Sequence, residues 1–389
     1  MAIVIFALIA LLSVTSPSTA QTTRVEAVAE EQAEKAKTLG PEGPSDAERI
    51  IRRILLSPLL SGGEGLYPWF GSVFGGSGMG VGAGYLKRFE NASFVNVQTG
   101  ISINNSTVLR GGFAAPALWR GKMQFDTAGQ WLKARDVSFY GFGQDSARED
   151  RERFDYTPKD IGASVTLRPQ RFLSVTGGYT FMNFDTQRDA PQFSAAEAPG
   201  MDEELNFNIV RGTVAFDWRT SPGYSTRGGL YRATFERNQE TKSLPYSFSS
   251  QEYEVVQLVP LVREQFVLAA RGLVTLTNAD DGAEVPVMLA PFLGSGSTLR
   301  GYATRRFTDR NRMLLTGEYR WRPSRYIDMA LFLDAGQVAA DRRDFDLGEL
   351  DVAWGLGARF HGPHFTALRL EVARGREGIR LIFAGSQPF

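Results

Sequence analysis

Residues 312–336 read R-M-L-L-T-G-E-Y-R-W-R-P-S-R-Y-I-D-M-A-L-F-L-D-A-G. Two period-2 runs meet at Pro323-Ser324. In the first, Met313, Leu315, Gly317, Tyr319 and Trp321 alternate with Leu314, Thr316, Glu318, Arg320 and Arg322. In the second, Ile327, Met329, Leu331 and Leu333 alternate with Asp328, Ala330, Phe332 and Asp334. Successive side chains of a strand point to opposite faces, so each run puts its charges on one face and its lipophilic residues on the other. The same pattern returns at 365–373, where Leu368, Leu370 and Val372 oppose Arg369, Glu371 and Ala373. In a soluble sandwich the apolar face is the core and the charged face meets water. In a membrane barrel the apolar face meets lipid and the polar face lines a lumen. Alternation alone does not separate the two.

Loop lengths do. Working outward from 312–336, the period-2 pattern predicts about sixteen strands between residue 66 and the C-terminus, including strands at 121–132, 159–168, 312–322, 326–335 and 377–386. Gaps after even-numbered strands are short, such as Glu90-Asn91, Pro169-Gln170 and Pro323-Ser324. Every long gap follows an odd-numbered strand: 133–158, 184–205, 239–248, 277–311 and 336–351. Short turns on one side and long loops on the other are the pattern of an outer-membrane barrel, and a sandwich has no reason to produce it. The expected fold is therefore all-β, a transmembrane antiparallel β-barrel of about sixteen strands over 66–389, with both ends on the periplasmic side. Phe389, after Pro388, closes the last strand where an interfacial aromatic girdle is expected.

The rest of the chain fits that class. Residues 1–20 hold the apolar run Ile3 to Leu12 followed by Ser18-Thr19-Ala20, which reads as a signal peptide too short to span a bilayer. Residues 21–65 read as a periplasmic tail and a short amphipathic helix. Ser45-Asp46-Ala47-Glu48 has capping-box form, Ile50, Ile51, Ile54 and Leu55 share a face, and Pro58 ends it. Lys plus Arg and Asp plus Glu are equal at 43 each, so no bulk field favours nucleic acid. The chain has no cysteine, which removes disulfides and thiolate metal sites.

Little in the sequence points to catalysis. The two histidines, His361 and His364 in H-G-P-H, read as a periplasmic turn rather than a metal site, since no acid adjoins them. The glycine-rich stretch 75–84 precedes a strand and not a helix, so it is not a phosphate loop. It reads as a weak strand pair at the first–last seam, because glycine lowers strand stability. No metal, cofactor or enzymatic activity is expected. Glu318 and Arg320 share the inward face of one strand, and Asp328 and Asp334 that of the next.

The longest gap in the second half contains Leu299-Arg300-Gly301-Tyr302, a cation and an aromatic where a solvated loop needs neither. By the strand count this is the sixth outer loop. Phe332-Leu333-Asp334-Ala335-Gly336 falls on the thirteenth strand. An R-G-F/Y triplet in the sixth outer loop and F-x-D-x-G on the thirteenth strand resemble the BamA/TamA family of outer-membrane barrels, of the bacterial surface antigen type. The resemblance implies a loop folded into the lumen, with Arg300, Gly301 and Tyr302 docked on Phe332, Asp334 and Gly336, and Asp334 holding Arg300. A guanidinium and a carboxylate in a partly dehydrated lumen form a strong bidentate contact. Glu318 is a candidate second acceptor, and Gly301 would permit close backbone approach or a positive φ.

The resemblance further implies a barrel that assists insertion or translocation of proteins, or lipids, at the outer membrane. Its partners would be the lipid bilayer and client outer-membrane proteins. Family members of that kind carry periplasmic POTRA domains, whereas only 21–65 precedes this barrel, so a separate POTRA-bearing partner is expected to supply that role. The alternative is a passive channel or surface antigen gated by the inward-folded sixth loop.

Overall fold

The alternating runs become sixteen antiparallel strands in one meandering sheet, each hydrogen-bonded to its neighbours in chain order. The computed structural model describes residues 64–262, 264–362 and 365–389. The signal segment, the tail, the helix expected behind Ser45 and His364 lie outside the described residues. The first eleven barrel strands are β1 (Gly65–Gly71), β2 (Gly80–Arg88), β3 (Phe94–Ser102), β4 (Thr107–Leu118), β5 (Met123–Phe139), β6 (Glu152–Gln170), β7 (Leu173–Arg188), β8 (Leu205–Asp217), β9 (Gly228–Glu240), β10 (Phe248–Val262) and β11 (Phe266–Ala279). A small lid hairpin, β12 (Phe292–Leu293) with β13 (Phe307–Thr308), follows. The wall resumes with β14 (Asn311–Ser324), β15 (Ile327–Ala339), β16 (Asp351–His361), β17 (Thr366–Gly375) and β18 (Gly378–Ala384).

Loop parity holds. Connections such as 171–172 and 325–326 mark the periplasmic end, and 140–151, 189–204 and 280–310 mark the outer end. Two strands run further than the alternation predicted. The sequence reading ended the fifth strand at 132 and began the sixth at 159, yet the ladder continues to Phe139 and back from Glu152. The cause is a one-residue slip between Ala134 and Val137, a bulge that interrupts the period on which the reading relied. Beyond it Val137, Phe139, Phe154 and Tyr156 are buried again.

The sidedness of the wall is inverted relative to a soluble protein. Leu331 and Leu333 of β15 are 49% and 52% exposed, whereas Asp328 and Asp334 on the opposite face are buried. Exposed apolar side chains recur around the wall, from Val97 on β3 to Val372 on β17. A contiguous apolar surface of this extent faces lipid rather than water. Aromatics cluster at the periplasmic rim: Phe172 sits 6.1 Å from Phe216, Phe266 6.0 Å from Tyr319, and Tyr319 6.0 Å from Trp321. At the outer end the extended strands and loops meet in a buried apolar cap, including Phe139, Phe184, Phe207, Phe248 and Val287, which roofs the lumen.

One neighbour pair is missing from the ladder. Every adjacent pair from β1 to β18 is hydrogen-bonded, but among the described residues no ladder joins β18 back to β1. These are also short strands, seven residues each, against 17 for β5 and 19 for β6. A membrane-spanning strand needs about 9–11 residues.

Candidate functional site: a lid-loop lock beside an open seam

The sixth outer loop, 280–310, turns inward. Its descent needs positive φ at four positions, the glycines Gly282 (φ 72°) and Gly294 (φ 92°) and the non-glycine residues Leu299 (φ 46°) and Arg305 (φ 60°). Gly301 is not one of them. What Gly301 supplies is proximity: a Cβ there would lie 2.6 Å from the Gly375 amide nitrogen and 2.8 Å from the Ala353 Cβ. Of the two reasons for glycine that the sequence left open, close approach is the operative one. Gly336 does the same on the wall, where a Cβ would meet Leu293 at 2.8 Å and the Met313 carbonyl at 2.9 Å.

The loop thereby delivers Arg300 to the inner face of β14–β17, where it is 1% exposed. Its Nε and Nη2 donate to the two oxygens of Asp334, both at 2.8 Å, the bidentate geometry expected of this pair. Its backbone N–H donates to Asp334 Oδ2 at 3.0 Å, and Thr316 Oγ1 donates to Oδ1 at 3.0 Å. The guanidinium lies 3.5 Å from the Phe332 ring centroid, a cation–π contact. Tyr302 packs 5.2 Å from Phe307 and donates its hydroxyl to Asp351 Oδ1 at 2.8 Å. Burial first, and then that hydrogen bond to Asp351, push the Tyr302 phenol up to about 12.

Asp334 is not the only acceptor. Arg300 Nη1 donates to Glu318 at 2.7 Å and to Glu371 at 3.2 Å. Burial alone would favour the neutral guanidine; Glu318, followed by Asp334 and Glu371, outweighs it and raises the Arg300 pKa above its ordinary value. Glu318 also receives Arg320 Nε at 2.7 Å and Arg359 Nη2 at 2.8 Å. Glu371 receives Arg369 Nη1 at 2.8 Å and Arg359 Nη2 at 3.1 Å. Four guanidiniums thus share three carboxylates, all nearly or fully buried. Several N–H groups, Arg359 Nε and Nη1 and Arg369 Nε among them, have no acceptor among the described residues. Carboxylates are the scarce partner in this network.

The structure brings together Arg300, Gly301, Tyr302, Glu318, Phe332, Asp334 and Gly336. It also recruits Glu371, Arg359 and Arg369, which sequence reasoning did not single out. Their signal was present: Arg369 and Glu371 lie on the charged face of 365–373. What was missing was register. Gly357 pairs with Glu371, and Arg359 with Arg369, which sets these side chains at the depth of Glu318. Phe389 departs from expectation. The last strand ends at Ala384, and the Phe389 ring lies against an inward apolar cluster with Leu230, Val256 and Leu258 rather than in the outer girdle. Arg320 and Arg271 stand 5.2 and 5.8 Å from its centroid. Asp328 and His361 meet at the periplasmic end, with Tyr224 stacked on the imidazole at 3.7 Å and donating to Asp328 at 2.7 Å. This closes turn 218–227 over the lumen floor.

The seam is built differently. Expected to be loose because of its glycines, the β1–β2 pair is in fact fully registered from Gly65–Leu86 to Gly71–Gly80. The glycines accommodate aromatics. A Cβ on Gly84 would lie 2.2 Å from the Tyr67 ring, and one on Gly100 would lie 2.6 Å from Trp69. Tyr67 donates to Asn96 and accepts from Gln98, each at 2.6 Å. β1 is therefore stapled to its neighbours in the sheet, and the discontinuity lies between β1 and β18. On β18, Ile379, Leu381 and Phe383 are each more than 60% exposed.

A sixteen-stranded outer-membrane barrel, with its sixth outer loop held inside by a buried ion network, defines the class. The chain belongs to the Omp85 superfamily: the family model described as the Omp85 superfamily domain matches residues 88–377. No curated protein sequence matches it significantly. Among solved structures it is similar to BamA from Haemophilus ducreyi lacking POTRA domains 1–3, with a TM-score of 0.62 at 12% identity, covering 82% of this chain and 69% of that one. It is also similar to CdiB from Escherichia coli (TM-score 0.58, 13% identity) and CdiB from Acinetobacter baumannii (TM-score 0.51, 12% identity). Each of those matches covers 82% of this chain, but only 61% and 58% of the CdiB chains. At these identities the likeness is one of fold.

Proposed function

We propose that this barrel assists the insertion or translocation of proteins, or lipids, at the outer membrane, and that the first–last seam is where a client engages. One observation carries the reading: among the described residues, β1 and β18 present unpaired backbone edges in a wall that is otherwise continuously hydrogen-bonded. An unpaired edge is a template for another strand, and proteins ordinarily cover it. Strands of seven residues also fall short of the bilayer core, and a short hydrophobic span thins the lipid around it. Both effects lower the barrier to bringing a new strand into the membrane at this point. The lid-loop lock keeps the adjoining wall rigid while the edge is free.

A passive-channel reading is less well supported, because the lid loop occupies the lumen beneath the apolar cap. An enzymatic reading is weaker still: Glu318, Asp334 and Glu371 are all held in ion pairs with guanidiniums. A separate POTRA-bearing periplasmic partner remains part of the proposal for client delivery.

The test uses cysteine pairs placed along β1 and β18 and joined by a bifunctional crosslinker in proteoliposomes. Folding of an added client barrel is then followed by its heat-modifiable mobility. The expected result is client folding with the free seam and its loss with the joined one. Undiminished folding with the seam joined would remove the seam from the mechanism.

A further inference from the structure

A cavity of about 300 Å³ lies at the outer end of the seam, at the small end of the ~300–1,000 Å³ range of ligand pockets. Both sides of the seam form it. The β1–β2 loop contributes Gly75 and Gly76, and the start of β18 contributes Arg380. The lid loop closes it below. Gly76, at φ 102°, rests on Thr304, where a Cβ would come within 3.3 Å of the threonine Cβ.

Four arginines line this space: Arg148 and Arg151 from loop 140–151 and its end, Arg305 of the lid loop, whose Nη2 donates to the Val287 carbonyl, and Arg380. Each keeps donors for a ligand. Arg151 uses Nε on Ser138 Oγ at 2.9 Å, and Arg148 uses Nη1 on the Glu377 carbonyl at 3.1 Å. Among the described residues the Arg380 side chain has no hydrogen-bond or ion-pair partner. Two acids also line the cavity, but Glu377 is already held by Arg306 Nε at 2.6 Å. That leaves Asp136, on the β5 bulge at φ 56°, as the one lining carboxylate with no cationic partner among the described residues. The balance is four guanidiniums against that one carboxylate, in a recess at the outer end of the seam.

Guanidinium forks fit phosphate oxygens bidentately, and clustered arginines are the usual means of recognising a phosphorylated group. We propose that this cavity binds a phosphate monoester or inorganic phosphate, carried by a lipid headgroup of the outer leaflet or free in solution. The proposal stands apart from client insertion: it concerns a ligand held at the outer rim and would survive failure of the seam crosslinking test.

Native mass spectrometry of the full chain in detergent tests it, with phosphatidic acid and diacylglycerol of matched acyl chains as probes. Wild type is expected to retain phosphatidic acid at least about tenfold better than diacylglycerol. R148Q/R151Q/R380Q is expected to lose about tenfold or more of that retention, while Asp136→Asn, which removes the opposing charge, raises it a few-fold. Displacement of the lipid by millimolar inorganic phosphate would identify the free ion as a competent ligand; resistance to it would assign the site to the headgroup. Equal retention of the two lipids, or retention unchanged in the triple variant, would overturn the proposal. If the triple variant does not fold, Asp136→Asn decides, and no gain in that variant is equally contrary.

Discussion

The wall from β14 to β17 and the seam between β18 and β1 are next to one another and are secured by opposite means. In the wall, backbone pairing is continuous and a buried network of four arginines and three carboxylates ties it to the lid loop. At the seam, short strands have no ladder partner among the described residues, and the nearby arginines face an open recess. The contrast separates two uses of charge. A buried ion network gives specificity at high desolvation cost and fails badly when one partner is removed. Charge at a solvated rim contributes little to stability and is available for binding.

The largest expected effect follows from the scarcity of carboxylates. Glu318 serves Arg300, Arg320 and Arg359 at once. Glu318→Gln leaves four guanidiniums with two carboxylates and is expected to cost about 3–5 kcal/mol in chemical unfolding from micelles. Arg369→Gln, which equalises the count at three and three, is expected to cost clearly less. Equal losses would mean that the charge balance is not what holds the network. Exchanging the lock pair in R300E/D334R is not expected to restore stability, because the introduced carboxylate would face Glu318 and Glu371.

A middle-sized effect tests close approach. Gly301→Val pushes against the Gly375 amide and Ala353 and is expected to cost about 1–3 kcal/mol and to expose the lid loop to protease. Gly82→Val applies the same insult on the seam side, where a Cβ would lie 2.0 Å from the Thr99 carbonyl. It should loosen β2 from β3, and with it the seam side of the sheet, and leave the lid protected. Protease sensitivity of the lid in both variants would contradict the separation of the two regions.

Smaller effects come from the aromatic of the lid. Tyr302→Phe removes the bond to Asp351 and is expected to cost about 1 kcal/mol. Its acidity gives a sign as well. The phenol is raised to about 12 in the folded protein, against about 10 when unfolded. The neutral form is thus favoured by folding, so this contribution is complete below about pH 10 and is lost as pH rises toward 12. The phenylalanine variant should lack that alkaline decline. Smallest of all, Arg380→Gln at the seam is expected to change stability by less than about 0.5 kcal/mol.

Much of this arrangement was legible in the sequence, for reasons that also mark the limit of legibility. Strand number and sidedness followed from period 2 and loop parity, both local properties. Arg300 and Asp334 were found together because each sits in a distinctive short motif at a countable position. Arg359, Arg369 and Glu371 were not, because their joining depends on register between strands. The role of Gly84 and Gly100 was not legible for a related reason: they make room for Tyr67 and Trp69 of β1, and a covering partner on another strand leaves no trace in a strand's own composition. Phe389 shows the same limit: Gly385 and Pro388 are signals that a strand ends, but nothing in the last residues indicates that the ring turns inward.

Amide hydrogen exchange of the full chain in lipid nanodiscs, resolved by strand, tests the central claim most directly. The account expects the unpaired edges of β1 and β18 to exchange at the earliest time points while β14–β16 stay protected, with the lid residues 299–302 protected alongside them. Protection of β1 and β18 equal to that of β15 would contradict it, because the seam would then be as firmly closed as the wall that holds the lock.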